Sequence, residues 1–323
     1  MKAITQKQYG SPDVLRIDDI EIPTPAKHDV LVRVHGSSIH AGDWHLMRGT
    51  PWLIRLVFGG LFRPKFKVLG TDIAGRVEAV GANVTQFKPG DEVFGDLSSC
   101  GFGAFAEYAV APETLLAPKP SNLTFEAAAT VPTSATAALQ ALRNEGQLQP
   151  GQRVLINGAS GGVGSFAIQI AKTMGAEVTA VCSTAKVDLV RSLSADHTID
   201  YTQQDPAQIS EQYDLIIDAA AYRPVADYQA ILKPTGTYVL VGGSSQQLLR
   251  TMLLRPWLEK RMQRSIKTLE SKPNQADLLL LKDWIETGSV MPAVDRSYQL
   301  EEVPQAIRHL EARQVQGKVA VSV

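Results

Sequence analysis

The first third of the chain alternates apolar and polar positions in short runs. Alternation of this kind is typical of strands with one buried face. Strands are predicted at 2–9, 14–19, 30–39, 73–80, 92–94 and 104–110. The stretches Gly81-Ala-Asn83 and Lys88-Pro-Gly-Asp91 have the composition expected of turns between them. The pattern therefore predicts a compact antiparallel barrel or sandwich.

A proline pair in Ala117-Pro-Lys-Pro120 separates this β-rich region from a helical stretch at 124–143, for which Thr124 is the expected N-cap. Beyond residue 152, buried-strand patterns and helical periodicity alternate. Strands are predicted at 153–157, 177–182, 197–200, 213–218 and 236–241. This alternation is the pattern of a doubly wound parallel sheet.

The strand at 153–157 runs directly into a glycine-rich turn. Apolar residues then recur at helical spacing until Gly175, at Val163, Phe166, Ala167, Ile170, Ala171 and Met174. Such a turn directs backbone N–H groups and the positive end of a helix at a ligand, and glycine lets a pyrophosphate approach. Dinucleotide binding is therefore predicted for Ala159, Ser160, Gly161, Gly162, Val163 and Gly164. A purely structural turn is the alternative.

The segment 244–273 mixes apolar and basic residues. It contains Leu248, Leu249, Met252, Leu253, Leu254, Trp257 and Leu258 beside Arg250, Arg255, Lys260, Arg261 and Arg264. The spacing predicts an amphipathic helix that packs on its own domain or on a partner subunit. A hydrophobic lid over a substrate is the alternative, and a peripheral membrane contact has weak support. The chain closes with a helix, whose apolar face includes Val303 and Ile307, and a strand at 317–323.

Composition narrows the classes of function. The 323 residues exceed the usual size of a single core, so two domains are expected. The 32 Lys and Arg residues are balanced by 33 acids, which argues against a nucleic-acid surface. Neither a membrane-spanning run nor a signal peptide's apolar core is found, so membrane contact is not expected. Cys100 and Cys182 cannot build a disulfide framework, so a reducing, cytoplasmic compartment is expected.

Several motifs resemble the medium-chain dehydrogenase/reductase superfamily. They are the segments 70–81 and 87–94, the glycine turn and the terminal Gly317-Lys-Val319. Within that superfamily the chain resembles the zinc-independent quinone oxidoreductase-like branch, close to the reticulon-4-interacting-protein group. The resemblance implies an α/β protein with its active site in a cleft between two domains. These are a GroES-like β-rich catalytic domain at 1–120 and 290–323 and a doubly wound parallel-sheet Rossmann domain at 121–289. A homodimer is the assembly that the resemblance implies.

The resemblance also bears on zinc. Zinc-dependent relatives carry a Cys within the segment at 38–43, a His-Glu pair at Thr71-Asp72 and another Cys near Pro132, and this sequence matches none of the three. A catalytic zinc needs about three protein ligands, and His40 with Asp43 would be an isolated pair. No metal is therefore expected.

The expected cofactor is NADPH. The second strand of the parallel sheet ends in Cys182-Ser-Thr-Ala-Lys186, without the Asp or Glu that usually binds the ribose of NAD. Hydroxyls at Ser183 and Thr184 and the cation at Lys186 would favour a 2′-phosphate. The resemblance implies that Lys186 and Tyr201 bind this phosphate, and that Gly242 and Gly243 lie beside the nicotinamide. A merely solvated Lys186 is the alternative.

The absence of metal ligands restricts the substrate. Without a metal to polarise it, the substrate must itself accept hydride readily, as do quinones and carbon–carbon double bonds conjugated to a carbonyl. The product anion then needs hydrogen-bond donors and a proton. His40 and His45 are the candidate donors, and Asp43 would orient one of them. A structural His40, a surface His45 and a helix-capping Asp43 are the alternatives.

The apolar surface for a flat substrate is expected from Trp44, Met47, Trp52 and Phe58, with core packing as the alternative. The predicted function is a zinc-independent NADPH-dependent reductase of a small hydrophobic quinone or α,β-unsaturated carbonyl. One alternative is an NADPH-binding protein with little turnover that acts through a partner. Another is an enoyl-thioester or alcohol-type reductase, although Pro51 stands where enoyl-thioester reductases of the superfamily carry a Tyr.

Overall fold

The computed structural model describes residues 1–56 and 60–323. The chain divides into two compact units. The first comprises Met1–Thr136, Lys272–Thr287 and Pro292–Val323, and the second comprises Ala137–Ser271 and Gly288–Met291. The sequence had placed the boundaries after residues 120 and 289, so the first unit includes more of the chain than expected.

Hydrogen bonds explain why residues 272–287 group with the first unit. The side chain of Asn122 donates to the Ile285 carbonyl at 2.8 Å, and that of Gln275 donates to the Leu116 carbonyl at 2.7 Å. The backbone N–H and hydroxyl of Ser121 both donate to Glu286. These bonds join sequence-distant segments, so local patterning does not reveal them.

The first unit is built on strands, as the alternating pattern predicted. They are β1 (Lys2–Thr5), β2 (Arg16–Asp19), β3 (Asp29–Ile39), β4 (Asp72–Val80), β5 (Glu92–Asp96), β6 (Tyr108–Pro112), β7 (Leu116–Pro118), β14 (Val294–Gln299) and β15 (Lys318–Ser322). One sheet has the order β14-β15-β3-β4-β5-β7, with β6 also paired to β3, and β1 pairs with β2. All of these pairs are antiparallel except β14 with β15.

Strand β3 organises this sheet. Its eleven residues pair with β4 on one side and with both β6 and β15 on the other. Gly36 lets α2 (Phe125–Ala129) approach the strand, because a Cβ there would lie 2.6 Å from the Phe125 carbonyl oxygen. β3 ends at Ile39 and β4 begins at Asp72, so the ends of two paired strands bring His40 and Thr71 together.

The other helices of this unit are α1 (Ala41–Arg48), α3 (Pro132–Gln140), α7 (Gln275–Glu286) and α8 (Val303–Glu311), and the chain passes into the second unit within α3. Thr124 is confirmed as an N-cap, because its hydroxyl accepts from Ala127 N at 3.3 Å. The helical stretch predicted at 124–143 is interrupted, however. Proline at 132 lacks an N–H and disfavours helical geometry in the preceding residue, so α2 and α3 are separate.

The second unit contains a six-stranded parallel sheet. Its strands are β8 (Arg153–Asn157), β9 (Glu177–Cys182), β10 (His197–Asp200), β11 (Tyr213–Asp218), β12 (Leu232–Leu240) and β13 (Ser265–Thr268). Their order is β10-β9-β8-β11-β12-β13, and all pairs are parallel. The order reverses between β8 and β11, which is where such sheets bind their ligands.

The α-helices of the second unit are α4 (Gly162–Thr173), α5 (Val187–Ser192) and α6 (Ser245–Met262), and a π-helix at Ala141–Glu145 follows α3. The apolar face of α4 is confirmed by Phe166, Ala167, Ile170 and Ala171, which have no exposed surface. The prediction of a helix throughout 244–273 is wrong, because β13 forms the edge of the sheet at 265–268. None of the helices in the described residues is long and apolar enough to cross a membrane.

Candidate functional site

The turn between β8 and α4 depends on glycine for two close contacts. Gly158 has φ +75°, and a Cβ there would lie 2.7 Å from the Ala220 Cβ. A Cβ on Gly164 would lie 2.2 Å from the Gly158 carbonyl oxygen, so the helix packs directly on the turn. Ala159 and Ser160, which lie within the turn, are buried. These four residues therefore determine the backbone conformation and packing of the turn.

Gly161 is the N-cap of α4 and lies on the open side of the turn. A Cβ at this position would meet nothing closer than the Gly158 carbonyl oxygen at 3.4 Å. The N–H groups of Gly162, Val163 and Gly164, in the first turn, have no acceptor within the helix. Together with the positive end of the helix, these donors fit the pyrophosphate of a dinucleotide.

A second group of predicted cofactor residues lies at the ends of β9 and β10. Asp200 pairs with Cys182, and Tyr201 N donates to the Cys182 carbonyl at 3.0 Å. Tyr201 therefore adjoins the segment that holds Ser183, Thr184 and Lys186, and its side chain is exposed. The structure thus brings these four residues to one edge of the sheet.

Asp200 is a charged residue at this edge that the sequence analysis missed. Its Oδ2 accepts from the Thr184 hydroxyl at 2.5 Å and from the Gln203 amide at 2.9 Å. Its Oδ1 accepts from Thr202 N at 2.9 Å and the Thr202 hydroxyl at 2.7 Å. These bonds hold the pKa of Asp200 below its usual value, so the carboxylate is ionised. The acid that binds the ribose of NAD usually ends the second strand, here β9, whereas Asp200 ends the neighbouring parallel strand β10.

The end of β12 needs glycine for backbone packing. Gly243 has φ +129°, and its Cβ would lie 2.2 Å from Ala221 N. Ala221 N donates to the Gly242 carbonyl at 3.0 Å. Beneath this loop the Asp218 carboxylate accepts from Asn157 Nδ2 at 2.8 Å and Tyr238 Oη at 2.5 Å, which joins three strands. Burial raises the pKa of Asp218.

In the first unit, His40 is the N-cap of α1, and its ring has a defined tautomer. Nδ1 accepts from Gly42 N at 2.9 Å, and Nε2 lies 2.5 Å from the Thr71 hydroxyl oxygen. Because a backbone N–H can only donate, a neutral His40 carries its proton on Nε2 and donates it towards Thr71. The side chain is 17% exposed. His40 can therefore serve as a neutral hydrogen-bond donor.

The hydrogen bonds continue from Thr71 into a buried polar cluster. The hydroxyl oxygens of Thr71 and Thr133 are 3.2 Å apart, and the Thr133 hydroxyl donates to Asp72 Oδ1 at 2.6 Å. Asp72 Oδ2 accepts from the Ser38 hydroxyl at 2.6 Å and lies 3.5 Å from Lys318 Nζ. Thr71, Asp72 and Lys318 are buried, whereas Thr133 is half-buried. The hydrogen bonds thus run from His40 through Thr71 and Thr133 to Asp72.

Asp43 is fully buried beside this cluster. Its Oδ2 accepts from His40 N at 2.9 Å, whereas it lies 3.7 Å from His40 Nε2. Oδ1 has no hydrogen-bond partner among the described residues. Burial raises the pKa of the carboxyl. Asp43 therefore completes a capping box at the start of α1 and fixes the backbone of His40 instead of bonding to its ring.

His45 has different surroundings. Its Nδ1 lies 2.8 Å from the Thr50 carbonyl oxygen, and its ring stacks on Trp44 with centroids 3.6 Å apart. A carbonyl can only accept, so the neutral ring has its proton on Nδ1 and leaves Nε2 as an acceptor. Burial lowers the pKa of His45. Both observations argue against His45 as a proton donor at neutral pH.

The predicted apolar contacts do not form one surface. Met47 has no exposed surface and packs in a core with Ile39 and Val303, so core packing describes it. Trp44 packs against the same core and is half-buried, whereas Trp52 is 64% exposed. Phe58 lies outside the described residues.

The three segments that correspond to zinc-ligand positions do converge. They contribute His40, Thr71 and Thr133 to one hydrogen-bonded cluster. Among the described residues, no group of three or more His, Cys, Asp or Glu side chains is arranged to hold a metal ion. Burial also raises the pKa of Cys100 to about 12 and that of Cys182 to about 11, so both thiols stay protonated at neutral pH.

Comparison with known proteins agrees with this architecture. A family model for an alcohol dehydrogenase GroES-like domain matches residues 26–121, and one for a zinc-binding dehydrogenase matches residues 193–321. The 2-methylene-furan-3-one reductase of Solanum lycopersicum is 31% identical over 99% of this chain and 79% of the relative. The mitochondrial NAD(P)H oxidoreductase RTN4IP1 of Danio rerio is 31% identical over 100% of this chain and 91% of the relative.

Two solved structures show the same fold over the whole chain. The quinone oxidoreductase from Coxiella burnetii has a TM-score of 0.87 and 29% identity, covering 100% of this chain and 99% of that one. An NAD-dependent alcohol dehydrogenase has a TM-score of 0.86 and 30% identity, covering 100% of both chains. With a GroES-like domain and a Rossmann domain, the chain therefore belongs to the medium-chain dehydrogenase/reductase superfamily and to its quinone oxidoreductase-like branch.

Proposed function

We propose that this protein is an NADPH-dependent reductase that transfers hydride to a quinone or to a carbon–carbon double bond conjugated to a carbonyl, without a catalytic metal. The observation that carries the proposal is the hydrogen-bonded series His40–Thr71–Thr133–Asp72. Zinc prefers thiolate, imidazole and carboxylate ligands, whereas this series offers one imidazole and two hydroxyls. Its one carboxylate, that of Asp72, is already bonded to Ser38, Thr133 and Lys318. The N–H of the imidazole is a donor that suits an oxyanion.

The names of the relatives support the substrate class. One relative is named a furanone reductase and one solved structure a quinone oxidoreductase. Both names describe conjugated acceptors. The proposed substrate of this chain is therefore a small hydrophobic quinone or enone.

In the proposed mechanism the protein positions the reactants and stabilises charge. The bound cofactor supplies the hydride. Gly161 and the first turn of α4 would hold its pyrophosphate. As hydride reaches the β-carbon of an enone, negative charge develops on the carbonyl oxygen. The His40 Nε2–H, whose hydrogen bond goes to the Thr71 hydroxyl oxygen in this structure, would donate to that carbonyl oxygen instead. Because neutral His40 cannot readily lose its remaining proton, water supplies the proton that ends on the α-carbon.

In this mechanism Thr71 and Asp43 are positioning residues. Thr71 accepts from the His40 ring, and Asp43 fixes the backbone of the same residue. The buried pair of Asp72 and Lys318 anchors the far end of the hydrogen-bonded series. Removing either member of the pair would leave an uncompensated charge in the interior. We therefore expect both side chains to be needed to hold this end of the series in place.

NADPH is the proposed cofactor in preference to NADH. Lys186, Ser183 and Tyr201 gather at the ends of β9 and β10, where a 2′-phosphate would be bound. Asp200 is also there, but Thr184, Thr202 and Gln203 already occupy its oxygens. A carboxylate saturated in this way competes weakly for ribose hydroxyls.

Fluorescence titration tests the cofactor proposal. The Lys186→Met protein should bind NADPH about tenfold more weakly and NADH unchanged, because one charge-assisted bond to phosphate is lost. Lys172→Met, which removes a cation paired with Asp196 in the same unit, is the matched control. An equal loss of NADH affinity would count against a phosphate contact.

Steady-state kinetics on metal-stripped protein test the reaction. We expect NADPH oxidation with a para-quinone or a simple enone, little oxidation with NADH, and no gain when zinc is added back. Activity that depends on zinc would refute the metal-free mechanism. If NADPH binds but no acceptor supports turnover, the binding-protein alternative replaces the reductase.

A further inference from the structure

Helix α6 has two apolar faces, and only one packs on the protein. Leu258 and Met262 are buried in the core of the second unit, Leu248 packs against that core, and Thr251 is buried on the same side of the helix. They recur at the spacing of one side of a helix. The sequence predicts packing on the chain's own domain or on a partner subunit, and this inward face fits the first of the two. It leaves the other apolar residues unexplained.

The opposite face presents large apolar side chains to solvent. Leu249, Leu253 and Trp257 are spaced by four residues, so they form one stripe along the helix. Leu253 is 71% exposed and Trp257 is 53% exposed. Met252 and Leu254 flank the stripe and are also exposed. A contiguous exposed apolar surface of this kind marks an interaction site.

Cations border the same stripe. Arg250, Lys260 and Arg261 are exposed, and the Arg261 guanidinium lies 5.0 Å from the centroid of the Trp257 ring. The one acid of the helix, Glu259, is occupied by Arg255 at 3.4 Å and by Ile266 N at 3.1 Å. The outward face is therefore positive, although the whole chain has a formal net charge of −1.

We propose that this outward face of α6, formed by Leu249, Leu253, Trp257, Arg250, Lys260 and Arg261, docks on a lipid bilayer that contains anionic lipids. A surface-lying helix buries an apolar stripe at the headgroup boundary while its cations meet lipid phosphates and carboxylates. Tryptophan suits that boundary because its ring is apolar and its N–H is polar. The charge of this face complements an anionic surface.

A protein partner fits the face less well. Lysine is depleted at protein interfaces, whereas here Lys260, seven residues after Leu253, lies on the same side of the helix as the apolar stripe. Docking would place the enzyme at the lipid bilayer, in which lipophilic quinones dissolve. The inference does not depend on the proposed reaction, because it rests only on α6.

Vesicle sedimentation tests the proposal, using phosphatidylcholine alone and mixed with phosphatidylserine. The wild-type protein should bind the mixed vesicles, less so at high salt. The triple substitution Arg250→Gln, Lys260→Gln, Arg261→Gln should weaken this binding at least about tenfold. Its control, with the same change in charge, is Lys7→Gln, Lys27→Gln, Lys88→Gln, at exposed lysines of the first unit.

An apolar pair of variants separates the stripe from the cations. Leu249→Ser with Leu253→Ser should also abolish binding to mixed vesicles, whereas Ile22→Ser with Leu279→Ser, at exposed sites elsewhere, should not. Unchanged melting temperatures would show that all variants fold. The proposal is overturned if the wild type does not bind mixed vesicles, or if test and control variants bind alike. It is also overturned if the Leu249 and Leu253 changes convert a dimer to a monomer while vesicle binding persists, since the face would then join two copies.

Discussion

His40 is the side chain on which the proposed chemistry depends most. Its Nδ1 is occupied by Gly42 N–H, which leaves Nε2–H as a neutral donor. His40→Ala should therefore lower kcat for an enone about tenfold to a hundredfold, because one donor to the oxyanion is lost. His40→Asn should retain most of the activity, since an amide N–H can replace a neutral imidazole N–H.

The pH profile separates this role from proton donation. If His40 acts only as a hydrogen-bond donor, the wild type and His40→Asn should show the same dependence of kcat on pH. A fall in kcat with rising pH that the wild type shows and His40→Asn lacks would indicate an imidazolium acid instead.

Asp200 gives a second prediction for a single residue. Its carboxylate accepts a hydrogen bond from the Thr184 hydroxyl. In Asp200→Asn the charge is lost, and an amide donor beside Thr184 would free that hydroxyl to point at a phosphate. NADPH affinity should rise about three- to tenfold with NADH affinity unchanged, as measured by fluorescence titration.

The control for Asp200 is Asp214→Asn, which neutralises a carboxylate near the amino end of β11 in the same sheet. Weaker NADPH binding in Asp200→Asn alone would show that Asp200 organises the site by its hydrogen bonds. The charge argument would then fail.

For single residues, the sequence predicted which positions belong to the site better than it predicted their hydrogen-bond partners. It named His40 and Asp43, and the structure places them in one capping box. An acid three residues after a histidine at the start of a helix can either cap the helix or pair with the imidazole ring. The sequence therefore could not distinguish a capping Asp43 from one that orients His40. Thr71 and Thr133 became visible only when β3, β4 and the start of α3 were brought together.

At the scale of elements, the turn before α4 offers a matched pair of substitutions. Gly164→Ala would place a Cβ 2.2 Å from the Gly158 oxygen, so it should lower the free energy of unfolding by about 1–3 kcal/mol. Gly161→Ala meets nothing closer than 3.4 Å and should cost less than about 1 kcal/mol.

The same pair separates folding from cofactor binding. The methyl group of Gly161→Ala would occupy the open side of the turn and should weaken NADPH binding about tenfold. Thermal unfolding and fluorescence titration measure the two effects. If Gly161→Ala binds NADPH as the wild type does, the pyrophosphate does not lie over this turn.

Strands bounded by glycine and polar turns were the most predictable elements. β8, β9, β10 and β11 have the predicted limits because their apolar runs are continuous and short. β13 was missed because it has four residues, of which only Ile266 is fully buried, and it follows an amphipathic helix. Its pairing with β12 is a tertiary contact that no local pattern records.

At the scale of the whole molecule, Glu286 should contribute to stability in a pH-dependent way. Its carboxylate accepts from Lys282 and from Ser121, and these bonds lower its pKa from 4.5 to about 2. A lowered pKa means that the unfolded chain binds the proton more tightly. The stabilisation is therefore complete above about pH 4.5 and is lost as the pH falls towards about 2.

Denaturant unfolding at a series of acid pH values tests this contribution. Glu286→Gln should be less stable than the wild type above pH 4.5, and the difference should shrink as the pH falls towards 2. Glu78→Gln, at an exposed position of β4, is the control. A difference between Glu286→Gln and the wild type that stays constant with pH would mean that the charge is not its source.

The proposed reaction adds hydride to a conjugated carbon without a metal. The most direct measurement is product analysis after reduction of an enone by NADPH that carries deuterium at the transferred C4 position, using metal-stripped protein. Deuterium should appear on the β-carbon of a saturated ketone, with solvent hydrogen on the α-carbon. Deuterium on the carbonyl carbon of an alcohol would refute conjugate addition, because the hydride would then have gone to the carbonyl, as in an alcohol dehydrogenase.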